Sequence, residues 1–100
     1  MLQNNYRQRK NFSEYLRNIR VALRLNIKDT AELVGVLPHR LSDYEKCKIL
    51  PTPATMRKMT TSFKSLGVSD ETIQTLEKFY EEAIASSNNR VIGRIRRDLS

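Results

Sequence analysis

The stretch from Asn26 to Lys46, NIKDTAELVGVLPHRLSDYEK, constrains the fold more than any other part of the chain. It leaves room for two short helices and one tight turn. The Asn26 side-chain oxygen can take a free amide of the turn that follows, starting a helix over about 27–34 with Ala31 and Val34 facing inward. Gly35 ends that helix, because glycine enters the left-handed region without the steric cost that a side chain imposes. Pro38 suits the first turn of the next helix, where its missing amide hydrogen has no partner to lose. That second helix runs to about Lys46, with Leu41 and Tyr44 as its apolar positions. Two short helices meeting at a steep angle need a small residue where they cross, an unencumbered turn residue four positions later, and apolar residues that pin the second helix. Ala31, then Gly35, then Val36, Leu41 and Tyr44 meet those needs, so the stretch reads as a helix-turn-helix with the polar side of its second helix outward.

The flanking sequence is helical as well. Phe12, Leu16, Ile19 and Leu23 recur at helical spacing with Arg17, Arg20 and Arg24 between them, which predicts a first helix over about 13–24 capped by Ser13. Residues 49–53 break the chain; Thr52 caps and Pro53 opens a fourth helix that carries Met56, Met59, Phe63 and Leu66 and stops at Gly67. Ser69 or Asp70 begins a fifth, with Ile73, Leu76, Tyr80, Ala83 and Ile84 along one face and Asp70 and Glu71 in the first turn, where the helix dipole favours them. No segment has a convincing strand pattern. The fold class expected is all-α, a compact bundle of about five short helices containing a helix-turn-helix, plus a C-terminal extension. One hundred residues suffice for one modest core. The expected organisation is a basic flexible arm (1–11), a helix-turn-helix domain (12–68), a helix for core completion or dimerisation (69–87), and a basic tail (88–100) holding Arg90, Arg94, Arg96 and Arg97.

Charge narrows the function. The chain has 18 basic and 11 acidic side chains, a net charge of +7. Residues 1–68 carry 13 basic and 5 acidic groups, residues 69–87 carry 1 and 5, and residues 88–100 carry 4 and 1. A basic body set apart from an acidic segment fits a polyanion binder, although basic charge also serves membranes and acidic proteins. No run approaches the ~20 apolar residues of a membrane span, and no apolar run follows the basic N-terminal residues as in a secretory signal. Cys47 is the sole cysteine, so neither an internal disulfide nor a cysteine-based zinc site is expected, and a reducing cytoplasm suits it. His39 is the sole histidine. There is no phosphate-binding glycine loop, no metal-ligand cluster and no carboxylate pair in a plausible cleft; Glu81 and Glu82 read as the wet side of helix five. Catalysis, a metal and a cofactor are therefore not expected.

Over residues 13–67 the chain resembles the Cro/CI-type phage repressors, the Xre-like helix-turn-helix family. The resemblance lies in Arg20, in Ala31, Gly35 and Val36, in Leu41-Ser42-Asp43-Tyr44-Glu45, in Pro51, and in Leu66-Gly67-Val68. It implies a lambda-repressor-like DNA-binding domain and a sequence-specific transcriptional regulator, in the first instance a repressor, with helix 38–46 in the major groove. It implies a buried ion pair between Arg20 and Glu45. It also implies base contacts from His39, Arg40, Ser42 and Asp43, Arg40 being suited to bidentate pairing with guanine and Asp43 to the cytosine amino group. Asp43 would alternatively just neutralise Arg40 or Lys46. A homodimer on an inverted repeat of double-stranded DNA and a phage or mobile-element origin follow from the same likeness. Four positions depart from the family pattern: Leu37 cannot cap, Pro38 offers no hydrogen bond, Cys47 stands where glycine is usual, and Ile27 replaces a phosphate-contacting Gln.

Lys46 and Lys48 flank the end of the recognition helix and are candidate phosphate contacts, with Lys28, Arg7, Arg9 and Lys10 as further ones. Six neutralised phosphates would give a salt slope of log affinity of about −5. Ile73, Leu76, Tyr80 and Ile84 admit three readings. They form a homodimer seam, they hold a protein partner such as a toxin or an antagonist, or they complete the monomer core. A helix-turn-helix that has lost DNA binding and serves only as a docking module is a further alternative.

Overall fold

The structure, a computed structural model, describes the backbone of residues 2–86 and the side chains of residues 6–86. It comprises five helices, α1 (Leu2–Ala22), α2 (Ile27–Val34), α3 (Pro38–Glu45), α4 (Pro53–Ser65) and α5 (Asp70–Ser86). No strand occurs among the described residues, and the helices form a small all-α bundle. The basic tail expected over 88–100 lies outside the described residues.

The start of α1 corrects two expectations. Residues 2–11, expected as part of a flexible arm, form the first half of α1. They lack the apolar period of a buried helix, yet Arg7, Gln8, Arg9 and Lys10 are good helix formers and neither Gly nor Pro interrupts the run, so helix continues through them despite Asn4, Asn5 and Asn11. Ser13, expected to cap, lies inside the helix and is buried; its hydroxyl donates to the Tyr44 carbonyl at 2.7 Å. The expected caps hold elsewhere. Asn26 Oδ1 accepts from the Asp29 amide at 2.7 Å, Thr52 Oγ1 from the Thr55 amide at 3.2 Å, and Ser69 Oγ from the Thr72 amide at 3.2 Å. Leu37 makes no side-chain cap bond ahead of α3.

Helices α1 to α4 end in one way. In each, an amide two or three residues past the helix returns to a carbonyl five residues earlier: Leu25 to Arg20 (3.2 Å), Val36 to Ala31 (3.0 Å), Lys48 to Asp43 (3.0 Å) and Val68 to Phe63 (3.0 Å). This closure places one residue in the left-handed region. Gly35 (φ 86°) and Gly67 (φ 93°) take that position after α2 and α4, whereas Arg24 (φ 59°) and Cys47 (φ 66°) take it after α1 and α3. The same geometry ends α1 at Ala22 rather than residue 24, and α3 at Glu45 rather than Lys46.

The core is built from all five helices, with Phe12, Leu16, Phe63, Met59, Leu41 and Leu76 buried at its centre. Leu66, expected as the last apolar residue carried by the fourth helix, lies just past α4 and is exposed. Helix α5 lies along α1, where the Phe12 and Tyr80 rings sit 5.6 Å apart and Tyr15 meets Phe79 edge-on at 5.3 Å. Tyr80 also donates to the Pro51 carbonyl at 2.7 Å, fastening the α3–α4 loop to α5. Ile73, Leu76 and Tyr80 are 2%, 0% and 7% exposed, and Ile84 packs half-buried against the core. This face is therefore not a dimer or partner surface but completes the monomer core. Four helices would leave the Phe12–Leu16–Ile19 face of α1 open to water, and α5 covers it.

Candidate nucleic-acid interface

Helix α3 is short and is held almost entirely by its inner face. Leu41 and Tyr44 are buried there. Glu45, at its last turn, receives the Arg20 guanidinium as a fork, with Nε to Oε2 at 2.7 Å and Nη2 to Oε1 at 3.0 Å. The third guanidinium nitrogen, Nη1, donates to the Leu25 carbonyl at 2.7 Å, so the same side chain also fixes the α1–α2 turn. The two side chains are only 14% and 6% exposed, which places the pair among interior ion pairs rather than surface ones. Ser13 adds a second tie from α1 to the end of α3 through the Tyr44 carbonyl. Burial pushes the Tyr44 hydroxyl pKa up, opposed by the nearby Arg40 guanidinium and by a side-chain hydrogen bond with Thr55.

The outer side of α3 faces solvent. His39 and Arg40 are exposed, whereas Ser42 and Asp43, expected beside them, are half-buried. Lys46 and Lys48 are exposed just past the helix, and Lys28 is exposed in the first turn of α2. The remaining expected cations sit on α1 rather than on an arm. Arg7 is exposed, and Lys10 pairs with Glu14 at 3.9 Å across one exposed turn. Arg9 is half-buried, one turn ahead of Ser13 on the same side of α1, and its Nε has no hydrogen-bond partner among the described residues.

Two further cations escaped the sequence reading. Arg57 and Lys58 of α4 line an open groove of about 430 Å³ beside the end of α2, together with Val34, Ala54, Thr61 and Ser62. Their signal was visible as two adjacent basic residues in a helix whose other members, Lys64 apart, are apolar or hydroxyl residues. Ser62 donates to the Leu33 carbonyl at 3.1 Å, so α4 also meets a carbonyl at the end of α2.

The arrangement is an exposed helix edge that carries His39 and Arg40, with Lys46 and Lys48 just past its end. Such a surface can enter a groove on a partner and present donors there; it does not enclose a small molecule. Among the described residues no three His, Cys, Asp or Glu side chains are grouped to hold a metal, and no helix is long and apolar enough to cross a membrane. No protein-family model, no curated protein and no solved structure matches the chain.

Proposed function

We propose that the protein is a sequence-specific double-stranded DNA-binding regulator of transcription, a repressor of the Cro/CI type, that inserts α3 into the major groove. The observation that carries this reading is the division of α3. Leu41, Tyr44 and Glu45 are locked to the scaffold, while His39 and Arg40 are left exposed with Lys46 and Lys48 at the far end. A helix with its side chains is about 10–12 Å across, close to the width of the major groove. Arg40 supplies two donors suited to guanine, His39 a donor to a base or phosphate, and the lysines supply phosphate contacts. Two copies on an inverted repeat would double this contact, and a cytoplasmic location suits the single free thiol. The alternative in which α5 grips a toxin or antagonist through Ile73, Leu76 and Tyr80 loses its surface, because those side chains are inside.

The test is selection of binding sites from a random duplex pool with the purified protein, followed by titration of the recovered duplex. Arg40→Ala is expected to weaken binding about 5- to 150-fold and to relax preference at one base pair, the cost of one bidentate contact. A parent protein that retains no duplex, or an Arg40→Ala variant with unchanged affinity and preference, refutes the reading.

A further inference from the structure

We propose that Leu37 reads the 5-methyl group of thymine at the leading edge of α3, an inference that rests on α3 being the base-contacting helix. Among the described residues Leu37 is the most exposed large apolar side chain, at 60%. It is not loose chain. Its carbonyl accepts the Arg40 amide at 3.0 Å and the Leu41 amide at 3.1 Å, so the backbone is fixed while the side chain stands in water. It does no capping, and the position it holds is one where Ser, Thr, Asp or Asn normally stabilises a helix. The chain thus forgoes a cap and exposes an isobutyl group at the same residue.

Recognition helices meet base edges with their N-terminal residues. At this end of α3 neither Leu37 nor Pro38 has a side-chain donor or acceptor, and Pro38 has no amide hydrogen either; His39 is the first side chain able to hydrogen-bond. The major-groove edges of the four base pairs offer donors, acceptors and a single apolar group, the thymine methyl. An apolar leading edge therefore matches thymine. It also rejects cytosine, whose amino group would lose water without gaining a partner. Leu37 and Arg40 are three positions, about 4.5 Å, apart along the helix axis, against about 3.4 Å per base step. The thymine is expected within one or two base pairs of the guanine read by Arg40.

The experiment uses the duplex recovered by selection, resynthesised with each thymine replaced singly by deoxyuridine, which lacks only the methyl group. The parent protein is expected to lose about fourfold in affinity at one or two such positions per half-site, the worth of one buried methyl. Leu37→Ala is expected to bind the thymine and uracil duplexes equally, while keeping its guanine preference at the Arg40 position and its helical circular dichroism. Indifference of the parent to every replacement overturns the proposal yet leaves α3 as the reading helix if Arg40→Ala still weakens binding. Leu37→Ala that still discriminates thymine from uracil also overturns it, as does Leu37→Ala that loses capture of a protein but no DNA affinity, which would make Leu37 and the exposed Leu33 across the turn a protein-docking patch. Failure to recover any duplex overturns both readings together.

Discussion

Removing the Glu45 carboxylate tests how α3 is held. Glu45→Ala deletes two charge-assisted bonds, at 2.7 and 3.0 Å, and leaves Arg20 with only the Leu25 carbonyl. If the pair behaved as a surface ion pair, the loss would be about 0.2–1 kcal/mol. Stranding one member of an interior pair instead costs about 3–5 kcal/mol, chiefly because the remaining charge is desolvated without a partner. Arg20 keeps 14% of its side chain in contact with solvent and can turn partly outward, so the lower end, about 3 kcal/mol, is expected. Against a total stability of about 5–15 kcal/mol this is a large fraction, and it lowers Tm by about 12–24 °C in a domain of this size. Thermal and urea melts followed by circular dichroism, run on the parent, Glu45→Ala, Arg20→Ala and the double variant, measure it. The double variant should lose much less than the sum of the singles, because no charge is then stranded. A single-variant loss below about 1 kcal/mol with additive behaviour in the double variant refutes the clamp.

Two further substitutions probe other links. Cys47 pays the left-handed penalty of about 1–2 kcal/mol that glycine avoids, so Cys47→Gly should gain about 0.5–1 kcal/mol after the added chain entropy of glycine. Cys47→Ala should gain nothing; a urea midpoint that rises equally for both, or for neither, refutes the argument. The buried Tyr80 hydroxyl has its pKa raised well above the ordinary 10.0, first by burial and then by the neighbouring Tyr44. Since the folded pKa exceeds the unfolded one, the associated stability is complete below pH 10.0 and is lost as pH rises beyond it, while the unfolded chain ionises and the folded one does not. Tyr80→Phe should cost about 1 kcal/mol at neutral pH through the lost Pro51 bond, yet show a shallower decline of urea midpoint above pH 10.0. Parallel declines for parent and variant would refute it.

What could be read from the chain, and what could not, follows the range over which each signal acts. The α2–turn–α3 unit was legible nearly to the residue, because Asn26, Gly35 and Pro38 act on their own backbone within one turn. The ends of α1 and α3 were misplaced by one or two residues because Arg24 and Cys47 adopt the left-handed conformation without the glycine that advertises it. The pairing of Arg20 with Glu45 was legible only through family resemblance, since the two are 25 positions apart and nothing local links them. Ser13, Ser62 and Tyr80 each donate to a carbonyl about 30 residues away, and a hydroxyl's distant partner leaves no trace in periodicity. Residues 2–11 were missed for the opposite reason. Their helix owes little to an apolar face and more to intrinsic propensity, which leaves no periodic pattern in the sequence. On α3, the family resemblance grouped Ser42 and Asp43 with His39 and Arg40, but the bundle half-buries the first two and leaves only the latter pair exposed.

The apolar face of α5 shows why periodicity locates a buried stripe without naming what buries it. Ile73, Leu76 and Tyr80 would give the same spacing on a dimer seam as in a monomer core, and the two cases separate under one substitution. On a seam, Leu76→Asp would yield a folded monomer, since the carboxylate would sit in water once the copies part. In the core, where Leu76 is 0% exposed, Asp must either ionise without a partner or fold neutral in a cavity left by the lost methyl groups. Losing a buried leucine's packing alone costs about 2–5 kcal/mol, and the desolvated carboxyl adds to it. That sum meets or exceeds the stability of many domains of this size. Circular dichroism together with sedimentation is therefore expected to report a largely unfolded chain. A Leu76→Asp protein that keeps its helical signal and parent-like Tm while changing only its sedimentation coefficient would place this face at an interface between copies.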